Sequence, residues 1–211
     1  MASKNKLAAV LTGDIIGSRY LSTAERKAMQ TTLRKTFDRL SKQFSDFKAE
    51  EFRGDGFQAV LYDNRNQALR IALLIQTALL KKSFDIRIGI GVGNITYQAS
   101  TITTSDGPAF QLSGPILDDL KKRNQHIGIA FENTNANQEW SIHTITLNFL
   151  IEKWSALQSE AVHEHLTSAT QQEVAEKLNI SQPSVHQRLQ TAGWPVIDAI
   201  VKRFDTYIFT S

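Results

Sequence analysis

The fold is decided by AAVLTGDIIGS, residues 8–18, read against EEFRGDGFQAVL, residues 50–61. Each is an apolar run broken by one aspartate in a glycine frame, Asp14 in the first and Asp55 in the second. A carboxylate at the end of a buried strand is costly unless its charge is compensated. Where two converge, a divalent cation with its preference for oxygen ligands compensates both. The pair therefore predicts a metal-assisted phosphate site with Asp14 and Asp55 as ligands. Taken singly, each aspartate also has a structural reading, since Asp-Gly suits a tight hairpin and Asp caps turns.

Working outward, Lys6–Leu11 reads as a short apolar strand that delivers Asp14. Ser22 and Glu25 form a capping box for a helix to about Phe47, with Leu33, Phe37, Leu40, Phe44 and Phe47 on one face. Gly54-Asp55-Gly56 reads as a hairpin tip between strands 50–52 and 57–61, both glycines permitting positive φ. A second helix spans about Asn66 to Lys82. DIRIGIGVG, residues 85–93, is a strand whose alternate glycines let a backbone or ligand approach one face closely. The Thr- and Ser-rich stretch 94–106 reads as a loop or hairpin. A third helix is placed over Leu112–Lys121, with Pro115 near its start, and His126–Glu132 is the last strand. This order predicts an α+β sandwich of the ferredoxin-like or palm type, with helices on one face of an antiparallel sheet.

The polar run ENTNANQ, residues 132–138, suggests a boundary between a domain over 1–135 and a wholly helical one over 136–211. Trp140–Trp154 reads as a connecting or dimerising helix, and a homodimer is expected. Within TQQEVAEKLNISQPSVHQRLQT, residues 170–191, Thr170 and Glu173 form a capping box, Asn179 suits a left-handed turn and Ser181 caps a second helix. Val174, Ala175, Leu178, Ile180, Val185 and Leu189 face inward. This is a helix-turn-helix pattern. Its second helix presents Ser181, Gln182, Ser184, His186, Gln187 and Arg188 to DNA; Gln and Arg read base edges and Ser holds phosphate. Against this, residues 156–211 carry a net charge of −2 while the whole chain is +3. Non-specific DNA affinity rests on neutralised phosphates. A dimer or the preceding domain must then lend the positive charge; the alternative is a module for dimerisation or protein contact. The tail VIDAIVKRFDTYIF, residues 196–209, reads as core or interface, and the three tryptophans fit helix packing.

The chain has 211 residues and no cysteine, which excludes disulfides and thiolate metal sites. No run is long and apolar enough for a bilayer. MASKNKLAAVLTGD lacks the layout of a signal peptide, so a cytoplasmic protein is expected.

Four motifs carry a resemblance. DIIGS (14–18), RGDGFQAVL (53–61), DIRIGIGVG (85–93) and GPAFQLSGPIL (107–117) resemble, in the same order, motifs of class III nucleotide cyclase domains. The resemblance implies that Asp14 and Asp55 hold Mg²⁺ or Mn²⁺. It also implies that the backbone of the turn Ile15, Ile16, Gly17, Ser18 and Arg19 holds nucleotide phosphates, with Arg19 adding a charge-assisted contact. The family's transition-state asparagine falls on Gln111 and its arginine on Pro115, and proline cannot stabilise developing phosphoryl charge. Nucleotide and metal binding are therefore expected rather than cyclisation. Over nearly its full length the chain resembles the SatD family, with its GDIIGS-like and RGDGFQ-like motifs and helix-turn-helix tail. Three functions follow as expectations: a regulator coupling a nucleotide–metal site to a DNA-binding helix-turn-helix, a metal-dependent enzyme acting on nucleotides, or a dimerising DNA-binding protein without nucleotide chemistry.

Overall fold

A computed structural model describes residues 6–52, 54–167 and 170–207. Strands β1 (Lys6–Ile15), β2 (Lys48–Phe52), β3 (Gly56–Leu61), β4 (Ile86–Ile95) and β5 (Ile127–Phe131) form a five-stranded sheet in the order β2-β3-β1-β4-β5. The sheet is mixed, because β5 runs parallel to β4 while the other pairs are antiparallel. β1 continues through Asp14 to Ile15, so the aspartate lies within the strand rather than beyond it.

Helices α1 (Thr23–Gln43) and α2 (Ala68–Leu80) cover one face. The Ser22–Glu25 capping box opens α1, which buries Met29, Leu33, Phe37 and Leu40. It ends before Phe44 and Phe47, whose rings nevertheless stay in the core. Helix α3 (Pro108–Arg123) lies on the opposite face, which corrects the expectation of helices on one side only. The reason is the glycine strand. A Cβ on Gly91 would sit 2.1 Å from the Ala109 carbonyl oxygen, and one on Gly89 2.6 Å from that of Ser113, so only glycine admits the helix backbone there. Helix α3 also starts earlier than expected. Pro108, not Pro115, takes the first-turn position that tolerates a missing N–H, and Pro115 lies inside the helix. Residues 96–106 form a loop with one bridge between Tyr97 and Asp106, and two backbone N–H groups of its Ile102–Thr103 tip donate to the Glu50 carboxylate.

Helix α4 (Thr134–Ile151) runs along the free edge of β5. The Asn148 carboxamide accepts from the N–H groups of His126 and Ile127 and donates to the Ile127 carbonyl. Asn137 does the same at Phe131. These two side chains occupy the edge groups that another strand would otherwise pair. Helices α5 (Ala156–Leu166), α6 (Gln171–Leu178), α7 (Gln182–Thr191) and α8 (Trp194–Asp205) complete the chain. One hydrophobic cluster runs from Leu11 and Ile88 of the sheet through Trp140 to Val185 and Phe204. The 135/136 division falls in the first turn of α4. Trp140 and Trp154 are buried, and Trp154 Nε1 donates to the Ala192 carbonyl. Of the tail 196–209, α8 buries Ile197, Ile200, Val201 and Phe204, whereas residues 208–209 lie outside the described residues. Among the described residues no helix is long and apolar enough to cross a membrane.

Candidate functional site

In the β1 ladders Asp14 stands opposite Gly56 on one side and Arg87 on the other. Asp55 precedes Gly56 at the hairpin tip, so the strand register brings the two aspartates to one end of the sheet. Their surroundings differ. Alternation along β1 puts Asp14 on the face covered by α3, and Lys121 from the last turn of α3 brings its Nζ to 3.2 Å from Oδ2. Arg87 Nη1 lies 4.0 Å from Oδ1. Oδ1 itself is buried without a hydrogen-bond partner among the described residues. Asp55 Oδ2 accepts from the Ser18 hydroxyl at 2.5 Å, which ties the hairpin to the turn after β1.

That turn is held at several points. Ile15 N–H donates to the Asp55 carbonyl and Ile16 N–H to that of Asp85. Gly17 takes the left-handed conformation, φ 70°, that glycine adopts freely, and Ser18–Tyr20 follow as one 3₁₀ turn. Arg26 donates to the Ser18 carbonyl and Gln30 to that of Gly54. Two of the five N–H groups expected to meet phosphate, those of Ile15 and Ile16, are therefore committed to backbone. Those of Gly17, Ser18 and Arg19 have no partner among the described residues. The Arg19 guanidinium stacks over the exposed Tyr20 ring, 4.7 Å from its centroid. At the same sheet end His126 Nε2 meets Asp85 Oδ2 at 3.0 Å, and Gln76 and Ile86 N–H donate to Asp85 Oδ1. Only Gly54 of the two tip glycines has positive φ, 82°; Gly56 is the first residue of β3.

Among the described residues no group of three or more His, Cys, Asp or Glu is arranged to hold a metal ion. A cation at Asp14 and Asp55 would thus draw further oxygens from water or phosphate, the usual mode for Mg²⁺ at phosphate sites. Gln111 Nε2 donates to Asp106 Oδ1, and Pro115 is exposed on α3.

In the C-terminal helices the Thr170–Glu173 capping box opens α6, Asn179 is left-handed at φ 53°, and Ser181 caps α7. Val174, Ala175, Val185 and Leu189 are buried. Of the residues expected to face DNA, Ser181, Gln182, His186 and Gln187 are exposed, and Ser184 and Arg188 are half-buried. The Ser181 and Ser184 hydroxyls bond to each other, and Arg188 reaches back to Glu160 on α5 at 3.2 Å.

The model of the SatD family matches residues 8–198. The chain belongs to the SatD family. No curated protein matches it. Solved structures with some likeness to this SatD-family chain include a bacterial light-regulated adenylyl cyclase, at 14% identity over 60% of this chain and 77% of that one, with a TM-score of 0.48. Another is the guanylate cyclase domain of RhGC from Catenaria anguillulae in complex with GTP, at 20% identity over 55% and 75%, TM-score 0.45. A third is an adenylate/guanylate cyclase/hydrolase from Silicibacter pomeroyi, at 25% identity over 55% and 71%, TM-score 0.44.

Two partners of Asp14 in this SatD-family chain escaped the sequence reading. Arg87 was detectable in principle, since antiparallel pairing of a strand that ends at the site with one that begins there sets it opposite Asp14. Lys121 had a weaker signal, the basic run Lys121-Lys122-Arg123 closing α3. Basic residues favour a helix C-terminus in any case, so the run did not point to a carboxylate.

Proposed function

We propose that the chain is a regulator whose sheet domain binds a nucleotide with Mg²⁺ or Mn²⁺ and whose α6–α7 pair binds DNA as a helix-turn-helix. One observation carries the nucleotide reading: Asp14 and Asp55 share one sheet end with the three uncommitted N–H groups of Gly17–Arg19. Carboxylates there suit a cation, and N–H groups at a left-handed glycine suit phosphate oxygens. The buried, unpartnered Oδ1 of Asp14 is an oxygen donor without a donor of its own. A cation on Asp14 and Asp55 would neutralise the phosphates and orient them on the turn. Position 115 offers no side-chain donor, so binding is favoured over cyclisation.

The test is a thermal-shift screen with ATP, GTP, CTP and UTP, each with and without Mg²⁺ or Mn²⁺. A bound ligand raises Tm by mass action. A metal-dependent rise that disappears in Asp14→Ala and Asp55→Ala is expected; a rise unchanged in both variants sinks the site.

Self-association fits the exposed face of α4. Ile142, Ile145 and Phe149 are 66%, 60% and 58% exposed, and with Gln138 and Glu152 they follow the alternating four- and three-residue spacing of a helix–helix seam. Antiparallel pairing with a second copy puts Glu152 beside Gln138 rather than beside another Glu152. Light scattering should give a dimer that Ile145→Arg converts to monomer.

A further inference from the structure

A groove of about 280 Å³ opens between α1 and α2, lined by Lys35, Arg39, Lys81, Lys82 and the threonines of α1. Its floor is His163 of α5, which is 4% exposed. Of the four cations only Lys81 has a carboxylate, Glu164, at 3.4 Å; Lys35, Arg39 and Lys82 make no ion pair with any described residue. Arg39 is instead held by the buried ring, its Nη1 3.5 Å from His163 Nε2. Three uncompensated positive charges around one concavity repel each other and favour a ligand with several negative charges.

The position of the groove narrows the ligand. Glu164, which borders it through Lys81, lies one turn beyond Glu160 on α5, and Glu160 holds Arg188 of α7. Residues four apart share a helix face. The same strip of α5 thus joins the groove to the second helix of the helix-turn-helix. The C-terminal segment 156–211 is itself net negative, with four Lys/Arg against six Asp/Glu, and lacks the charge that DNA backbone contact requires.

We propose that this groove is a docking site for the phosphate backbone of duplex DNA engaged by α7, with Lys35, Arg39 and Lys82 each neutralising phosphate. The inference rests on the DNA-binding reading and adds where the electrostatic part of that binding resides: on the sheet domain, outside the helix-turn-helix.

The experiment measures binding of the full chain to a mixed-sequence duplex of about 30 base pairs by fluorescence anisotropy over a salt series. It compares wild type, the triple variant Lys35→Gln/Arg39→Gln/Lys82→Gln, and Gln182→Ala/Gln187→Ala on α7. Glutamine removes each charge while keeping a polar side chain, and circular dichroism checks that each variant is folded. Each lost phosphate contact lowers the slope of log K against log salt by about 0.9, so the triple variant should lose about 3 units of slope. The α7 variant should keep its slope. Wild type that binds DNA with a slope matched by the triple variant overturns the groove while leaving the DNA reading intact. Wild type that binds no DNA overturns both. A groove that takes inorganic tripolyphosphate, with no DNA effect of the triple variant, also overturns the proposal and reassigns the site to a free polyphosphate.

Discussion

The Lys121 ammonium lies 3.2 Å from Oδ2 of Asp14, across the interface between α3 and β1. A proposed metal ligand is thus already ion-paired, and with Arg87 on its other oxygen it sits among two positive charges. A divalent ion must either displace Lys121 or share the carboxylate with it. The lysine side chain is 43% exposed, so it can swing into solvent at small cost. Freed, it would stand beside the incoming phosphates.

If Lys121 competes with the cation, Lys121→Gln should strengthen Mn²⁺ binding. A partly exposed pair is worth about 1 kcal/mol or less, which sets the gain at up to about five-fold. Titration calorimetry with Mn²⁺ alone measures it. Weaker Mn²⁺ binding in the variant would mean that Lys121 orients Asp14 for the ion instead of blocking it.

The close approach of α3 to β4 gives a second expectation. Gly91→Ala brings a Cβ to within 2.1 Å of the Ala109 carbonyl, so strand and helix must separate, at about 3 kcal/mol. Gly54→Ala meets nothing within 4 Å and costs only its left-handed backbone, about 1 kcal/mol. Urea unfolding of the two variants should rank them in that order; equal losses would remove the packing argument for the glycine strand.

What the residues disclosed in advance, and what they did not, divides along the range of the interaction. The Ser22–Glu25 and Thr170–Glu173 boxes, the left-handed Asn179 and the proximity of Asp14 to Asp55 follow from short motifs and strand register, and each was legible. Alternate glycines at 89, 91 and 93 announced a close neighbour without identifying it as α3. The Lys121–Asp14 pair joins residues over a hundred positions apart. The loss of the Ile15 and Ile16 N–H groups to Asp55 and Asp85 depends on how two loops settle against each other. No local pattern encodes either. Pro115 misled because a proline is more often at a helix start, a place here taken by Pro108.

The edge of the sheet depends on one carboxamide. Asn148 is 5% exposed and satisfies three backbone groups of residues 126–127, so Asn148→Ala leaves them buried and unpaired. A loss of about 3 kcal/mol is expected. Hydrogen exchange at the His126 and Ile127 amides should accelerate more than at the centre of β4. Uniform acceleration would make Asn148 a general core residue rather than an edge clamp.

His163 makes acid stability a sharper test, because its proton is placed by its neighbours. Arg39 can only donate, so Nε2 accepts; Nδ1 then carries the hydrogen and gives it to Thr77 Oγ1 at 2.9 Å, and that hydroxyl donates onward to the Leu73 carbonyl. Burial, then the positive charges of Lys81 and Arg39, lower its pKa to about 3. The unfolded chain takes up this proton near the ordinary value of about 6.5, whereas the folded chain does not until about pH 3. Between those limits the unfolded state binds the extra proton. Stability is therefore fully present above pH 6.5 and falls as the pH is lowered, by an amount on the order of 5 kcal/mol in total. A carboxylate works in a lower window. Burial pushes Asp46 up, but the Asn64 N–H and amide and the Tyr62 N–H outweigh it and hold the group below its usual value, so its contribution is lost only under about pH 4. Urea unfolding at intervals from pH 7 to pH 4.5 should thus show a decline that His163→Asn flattens, with the variant less stable than wild type at pH 7 and closing on it at pH 4.5. Parallel declines in the two proteins would place the acid sensitivity elsewhere.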